Sequence, residues 1–240
     1  MSNETVVRRR VWDLPTRVFH WALAFSFFGA YLLAESERVR HLHVMFGYTV
    51  LALTLFRLLW GFIGTRYARF NSFAFGPRAV FGHLRGLVRR EVPEHVGHTP
   101  AGSWAIWLML LLAPITAFTG WFNFNEIGGE GMEEVHEIVA NVWLLMVLIH
   151  VAGVIVSTVV ERQNLARSMI TGYKALAGVS ENVRNAAVVG VLMLTGIVGF
   201  WAATMLSGGA LVLPAGTDST HAAHASHAKR LSLHEHSVDD

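Results

Sequence analysis

EEVHEIVANVWLLMVLIHVAGV, residues 133–154, decides how this chain is read. Between His136 and His150 the stretch is almost wholly apolar, and one imidazole stands at each end. With its neighbours it predicts a helix over 136–160, enough for a bilayer core of about 30 Å, which takes roughly 20 helical residues. Fourteen residues advance about 21 Å and turn about 1400°, within roughly 40° of a whole number of turns. Both imidazoles therefore face one side of the helix at two depths. An ionisable group inside a membrane is costly and so marks function. This spacing suits two stacked planar cofactors.

Working outward, four more stretches are long and apolar enough to span: 14–34, 43–63, 103–122 and 185–206. Asp13 reads as the N-cap of the first, with Pro15 in its first turn. That stretch is full-length and lacks a small-x-small cleavage pattern, so it reads as a span and not as a signal peptide. Composition agrees. The 240 residues are 53% hydrophobic and 15% charged, with mean hydropathy +0.43, whereas a soluble domain carries about 25% charge. An ordinary soluble globule, a disordered chain, collagen and a coiled coil are all excluded. The net charge of +2 gives no reason to expect nucleic acid. Cysteine is absent, which removes disulfides, thiolate zinc, iron–sulfur ligation and C-x-x-C-H haem attachment. With 13 histidines present, imidazole is the available ligand.

Basic residues orient the spans. Arg8, Arg9, Arg10 and Arg17 precede or open the first, and Arg66, Arg69, Arg78, Arg85, Arg89 and Arg90 lie between the second and third. Arg162, Arg167, Lys174 and Arg184 lie between the fourth and fifth, against Arg38, Arg40, Lys229 and Arg230 on the other side. This bias places the N-terminus in the cytoplasm and the C-terminus in the periplasm. The loop 123–135 is then outside, carrying Glu126, Glu130, Glu133 and Glu134 with no basic residue. Residues 70–100 form a basic cytoplasmic connection with room for an interfacial helix around 77–88.

Each imidazole on the fourth span needs a second ligand. His20 lies about two turns inside the cytoplasmic end of the first span, level with His150. His43 opens the second span on the outer side, level with His136. His41 is turned about 200° from His43, so only one of them faces inward, and Gly47 at i+4 favours His43. Gly47 and Gly153 lie on ligand-bearing faces, where they let a macrocycle approach the backbone. Arg57, fourteen residues after His43, either meets a haem propionate or snorkels to the interface. A single membrane histidine often only hydrogen-bonds a neighbouring helix, but four at two matched depths argue for two bis-histidine haems. The expected fold is all-α: an integral membrane bundle of five transmembrane helices with a four-helix di-haem core. No catalytic residue stands out. His83, His95 and His98 read as solvated or structural. The tail histidines His221, His224, His227, His234 and His236 read as incidental, although such a tract can bind zinc, copper or nickel.

The segments VWDLPTRVFHW (11–21), LHVMFGY (42–48), FRLLWGFIGTRYARF (56–70), GHTPAGSW (97–104), 133–154 and NLARSMITGYK (164–174) resemble the bacterial cytochrome b561 family. That family includes the cytochrome b subunit of nickel–iron hydrogenases. The resemblance covers about residues 10–200. It implies a helical membrane bundle with two non-covalent b-type haems, passing electrons between a quinone pool and a redox partner. The family's ligand positions fall on His20, His43, His136 and His150. Its members work beside a hydrogenase, a c-type cytochrome or a related periplasmic redox protein.

The expected organisation is a di-haem transmembrane domain over 1–206 and a mobile, His-rich extracytoplasmic tail over 207–240. The expected function is electron transfer across the bacterial inner membrane, as the electron-transfer subunit of an oxidoreductase with quinone as substrate. One rival is a self-contained haem oxidoreductase of ferric or superoxide:quinone type. The other is a haem-free metal transporter, which would need acidic groups inside the spans, where almost none occur.

Overall fold

The computed structural model describes residues 7–91, 95–176 and 181–212. A short strand β1 (Val7–Arg10) leads into α1 (Leu14–Leu32), and a turn leads into α2 (Arg40–Ile63). Then come α3 (Pro77–Arg89), α4 (Pro100–Phe124) and α5 (Gly129–Glu161). The chain ends with α6 (Leu165–Thr171), strand β2 (Tyr173–Leu176) and α7 (Ala187–Leu206). Among these, α2, α4, α5 and α7 are long and apolar enough to cross a membrane. The 19-residue α1 falls outside that set, because Pro15, Arg17 and His20 dilute its apolarity.

Local sequence explains where α1 begins. Pro15 stands in the first turn, and Asp13 caps it by accepting from the Thr16 amide at 2.7 Å. The same carboxylate also accepts from Trp60 Nε1 at 3.1 Å and from Thr65 Oγ1 at 2.6 Å. These bonds tie the start of α1 to the end of α2, and they satisfy a carboxylate that is only 1% exposed.

One expectation about the spans needs correcting. The outer loop placed over 123–135 is mostly helix: α5 begins at Gly129 and runs for 33 residues, about 50 Å at 1.5 Å per residue. Glu130, Glu133 and Glu134 ride on its first turns, where the positive end of the helix dipole favours acids. His136 therefore sits about two turns inside the helix, and His43 likewise follows an α2 that starts at Arg40. Beside the all-α bundle lies one short ribbon among the described residues. Strands β1 and β2 form an antiparallel ribbon from Val7↔Leu176 to Arg10↔Tyr173. The Val11 and Trp12 amides both donate to Gly172 O, at 2.8 and 3.1 Å. Val11, Trp12 and Leu176 are buried there with Tyr67, Val96 and Met169 around them, forming a cap on one end of the bundle.

Within the bundle α1 packs on α2 and α7, α2 on α4, and α4 on α5. Side chains join α1 to α5: Phe27 lies on Trp143 at 4.5 Å between ring centroids, and Tyr31 Oη donates to Asn141 Oδ1 at 2.8 Å. At mid-height Phe27, Val50, Ala113 and Trp143, one from each of α1, α2, α4 and α5, form a buried cluster. Phe62, Leu111, Ile155, Val159 and Leu192 point outward, as a lipid-facing surface requires. The helix expected near 77–88 is α3, which buries Val80 and His83 and exposes Phe81, Leu84 and Val88. The tail histidines, and the mobility expected of that segment, lie outside the described residues.

Candidate functional site

The end of the bundle away from the cap brings His43 of α2 and His136 of α5 together. Their ring centroids are 6.2 Å apart and their planes are nearly perpendicular, at 83°. His43 Nδ1–H donates to Ala30 O at 2.8 Å. His136 Nδ1–H is shared between Thr116 O and Thr119 Oγ1, each at 3.1 Å. The carbonyls only accept, so both rings carry the proton on Nδ1, and each Nε2 bears the lone pair, with no hydrogen bond given to it among the described residues. A Cβ on Gly120 would stand 2.8 Å from His136 Cε1, so α4 carries glycine where the imidazole leans against it.

At the cap end, His20 of α1 and His150 of α5 lie within electrostatic reach of one another, without the ring contact of the first pair. His20 Nδ1 is buried and has no hydrogen-bond partner among the described residues. The fold thus sets His43 in ring contact with His136 and His20 within electrostatic reach of His150. Gly47 and Gly153 each have open space where a Cβ would stand, with nothing within 4 Å.

Arg57 does not snorkel. It is 3% exposed, and its guanidinium lies over Phe70 and Phe73 at 5.2 and 5.5 Å from the ring centroids. Asp13 is within electrostatic reach, and Nη1 is buried with no acceptor among the described residues. Beside it is His98, whose ring lies between Trp12 and Phe73 at centroid distances of 4.7 and 4.5 Å. Burial, reinforced by Arg57 and Lys174, pushes the His98 pKa down to about 3, so the ring is neutral. His83 is only 4% exposed and stacks edge-on to His95 at 5.5 Å. Burial and His95 lower its pKa too. His83 is thus packed inside the fold, while His98 is half-buried with its Nδ1 enclosed. Sequence reasoning missed the roles of Thr116, Thr119, Gly120 and His98, because each is defined by a partner on a different element. The run GHTPAGSW was the one signal that pointed at His98.

The prokaryotic cytochrome b561 profile matches residues 11–172, which hold all four histidines, Arg57, Gly47 and Gly153. The chain belongs to the prokaryotic cytochrome b561 family. A probable Ni/Fe-hydrogenase B-type cytochrome subunit of Rhizobium leguminosarum bv. viciae is 24% identical to it, over 68% of this chain and 87% of that one. A protein of the same description from Bradyrhizobium diazoefficiens is 23% identical, over 71% and 89% of the two chains. No solved structure matches. As a b-type cytochrome of this family, the protein is a haem b membrane protein that transfers electrons across the bilayer. That sets aside the haem-free transporter. This cytochrome b561 family member also carries α7, which lies beyond the matched residues yet packs on α1.

Proposed function

We propose that the chain carries electrons through two b-type haems between a membrane quinone pool and an extracytoplasmic redox protein, a c-type cytochrome or a hydrogenase-like partner. The far-end histidine pair carries this reading. Two imidazoles bonded through nitrogen to one metal atom at about 2 Å hold their ring centres roughly 6 Å apart, and His43 and His136 stand at 6.2 Å. When bound, the haems supply one-electron carriers at two depths of the bundle.

The remaining roles belong to the chain. His43 and His136 would hold one iron, and His20 and His150 the other. The carbonyls of Ala30 and Thr116 orient the first pair and raise its basicity. Gly47 and Gly153 add no side chain beside His43 and His150, which suits the approach of a flat macrocycle. The buried, unpaired Nη1 of Arg57 fits a propionate near the cap-end pair. The arginine and lysine bias puts the cap in the cytoplasm and His43 with His136 toward the periplasm, in the bacterial inner membrane. Glu126, Glu130, Glu133, Glu134 and Glu137 are exposed beside that outer pair. They favour the ferric form of the outer haem and offer an acidic face to a basic partner.

The decisive experiment is a reduced-minus-oxidised spectrum with pyridine haemochrome quantification on purified protein. About two haem b per chain with low-spin, bis-imidazole bands are expected. His43→Ala and His136→Ala should each remove the same haem, and His20→Ala and His150→Ala the other. A single haem untouched by these substitutions, or none, would overturn the reading.

A further inference from the structure

Trp143 lies seven residues from His136 and seven from His150. Seven residues turn about 700°, roughly 20° short of two full turns. The indole therefore stands on the helix face that carries both imidazoles, about 10 Å along the axis from each. It is 2% exposed and belongs to the mid-height cluster with Phe27, Val50 and Ala113. Phe27 stacks on it at 4.5 Å, with planes 57° apart, where α1 meets α5.

Packing alone does not account for an indole here. Its Nε1–H is buried with no acceptor among the described residues. Phenylalanine or leucine would fill an apolar centre without burying a donor. The position separates two places where electrons would reside, and tunnelling decays more steeply through empty space than through packed atoms. We infer that Trp143 is the bridge through which an electron crosses between the two haem positions, an inference that rests on the di-haem reading above. In the step one ferrous iron becomes ferric and the other ferric iron becomes ferrous. No bond forms, no proton moves, and the indole stays closed-shell.

The test uses full-length protein in liposomes. An impermeant photo-excited ruthenium complex on the extracytoplasmic side reduces the outer haem, and the absorbance of each haem reports arrival at the inner one. Haem content, midpoint potentials and thermal stability are measured alongside. Trp143→Ala should slow transfer at least about tenfold while leaving both potentials in place, because truncating a large core side chain leaves a cavity. Trp143→Phe keeps most of the packed volume and should stay within about threefold of the parent. If Trp143→Ala sheds a haem, Trp143→Leu decides, and it should be slower than Trp143→Phe. An alanine or leucine variant with both haems, unchanged potentials and the parental rate would overturn the bridge alone. A parent protein that binds fewer than two haems would instead overturn the reading beneath it.

Discussion

His136 is held from three directions by α4: a carbonyl at Thr116, a hydroxyl at Thr119, and the bare backbone of Gly120. The first two set the tautomer, and the third makes room for the ring. Gly120→Ala is a single methyl addition that meets His136 Cε1 at 2.8 Å. The helix backbone cannot yield there, so the His136 ring must shift from its present position beside His43. On the proposed di-haem reading, the expected outcome is loss of the haem held by His43 and His136, with affinity down about 10- to 100-fold, as for disturbed outer-shell partners of metal ligands. The inner haem should remain. Haem stoichiometry and the two-step redox titration of the variant check this, since a merely unstable variant would lose both haems together.

The cap is built from β1, β2 and the segment before α4, with His98 wedged between Trp12 and Phe73. Its pKa of about 3 in the folded chain compares with about 6.5 for a free imidazole. Between these values the unfolded chain takes up a proton that the folded chain refuses. Stability from this group is therefore complete above about pH 6.5 and falls as the pH drops toward 3. The slope is at most about 1.4 kcal/mol per pH unit. His83, lowered in the same direction, adds to it. Thermal unfolding in detergent at pH 7 and pH 5 should show the acid loss, and His98→Phe should flatten it. An equal pH slope in that variant would place the acid sensitivity elsewhere.

At the scale of the molecule, charge is divided between the two ends. The cap carries Arg8, Arg9, Arg10, Arg66 and Arg69, and the far end presents five exposed glutamates. Docking of a basic redox protein at the far end should weaken as ionic strength rises, because exposed charges are screened beyond about 8–10 Å at physiological salt. Reduction of a small basic c-type cytochrome by proteoliposomes should therefore fall with added salt. Replacing Glu130, Glu133 and Glu134 by Gln should lower both the rate and its salt dependence. A rate indifferent to both would mean that the partner docks by another face.

A membrane helical bundle and four histidines on its spans were legible in the chain itself. Those signals are local: apolar runs of spanning length, a fourteen-residue spacing that returns to one helix face, and a cap such as Asp13 that acts within its own turn. Sequence reasoning misjudged the length of α5, because acids at a helix start look like a loop until the dipole they complement is seen. The ribbon of VRRR with YKAL was not legible either, since its strands lie more than 160 residues apart. The fold also settles that Arg57 turns inward, that His98 wedges against Phe73, and which carbonyls hold His43 and His136. Each of these depends on which helix faces which, and that is set by packing between elements distant in the chain.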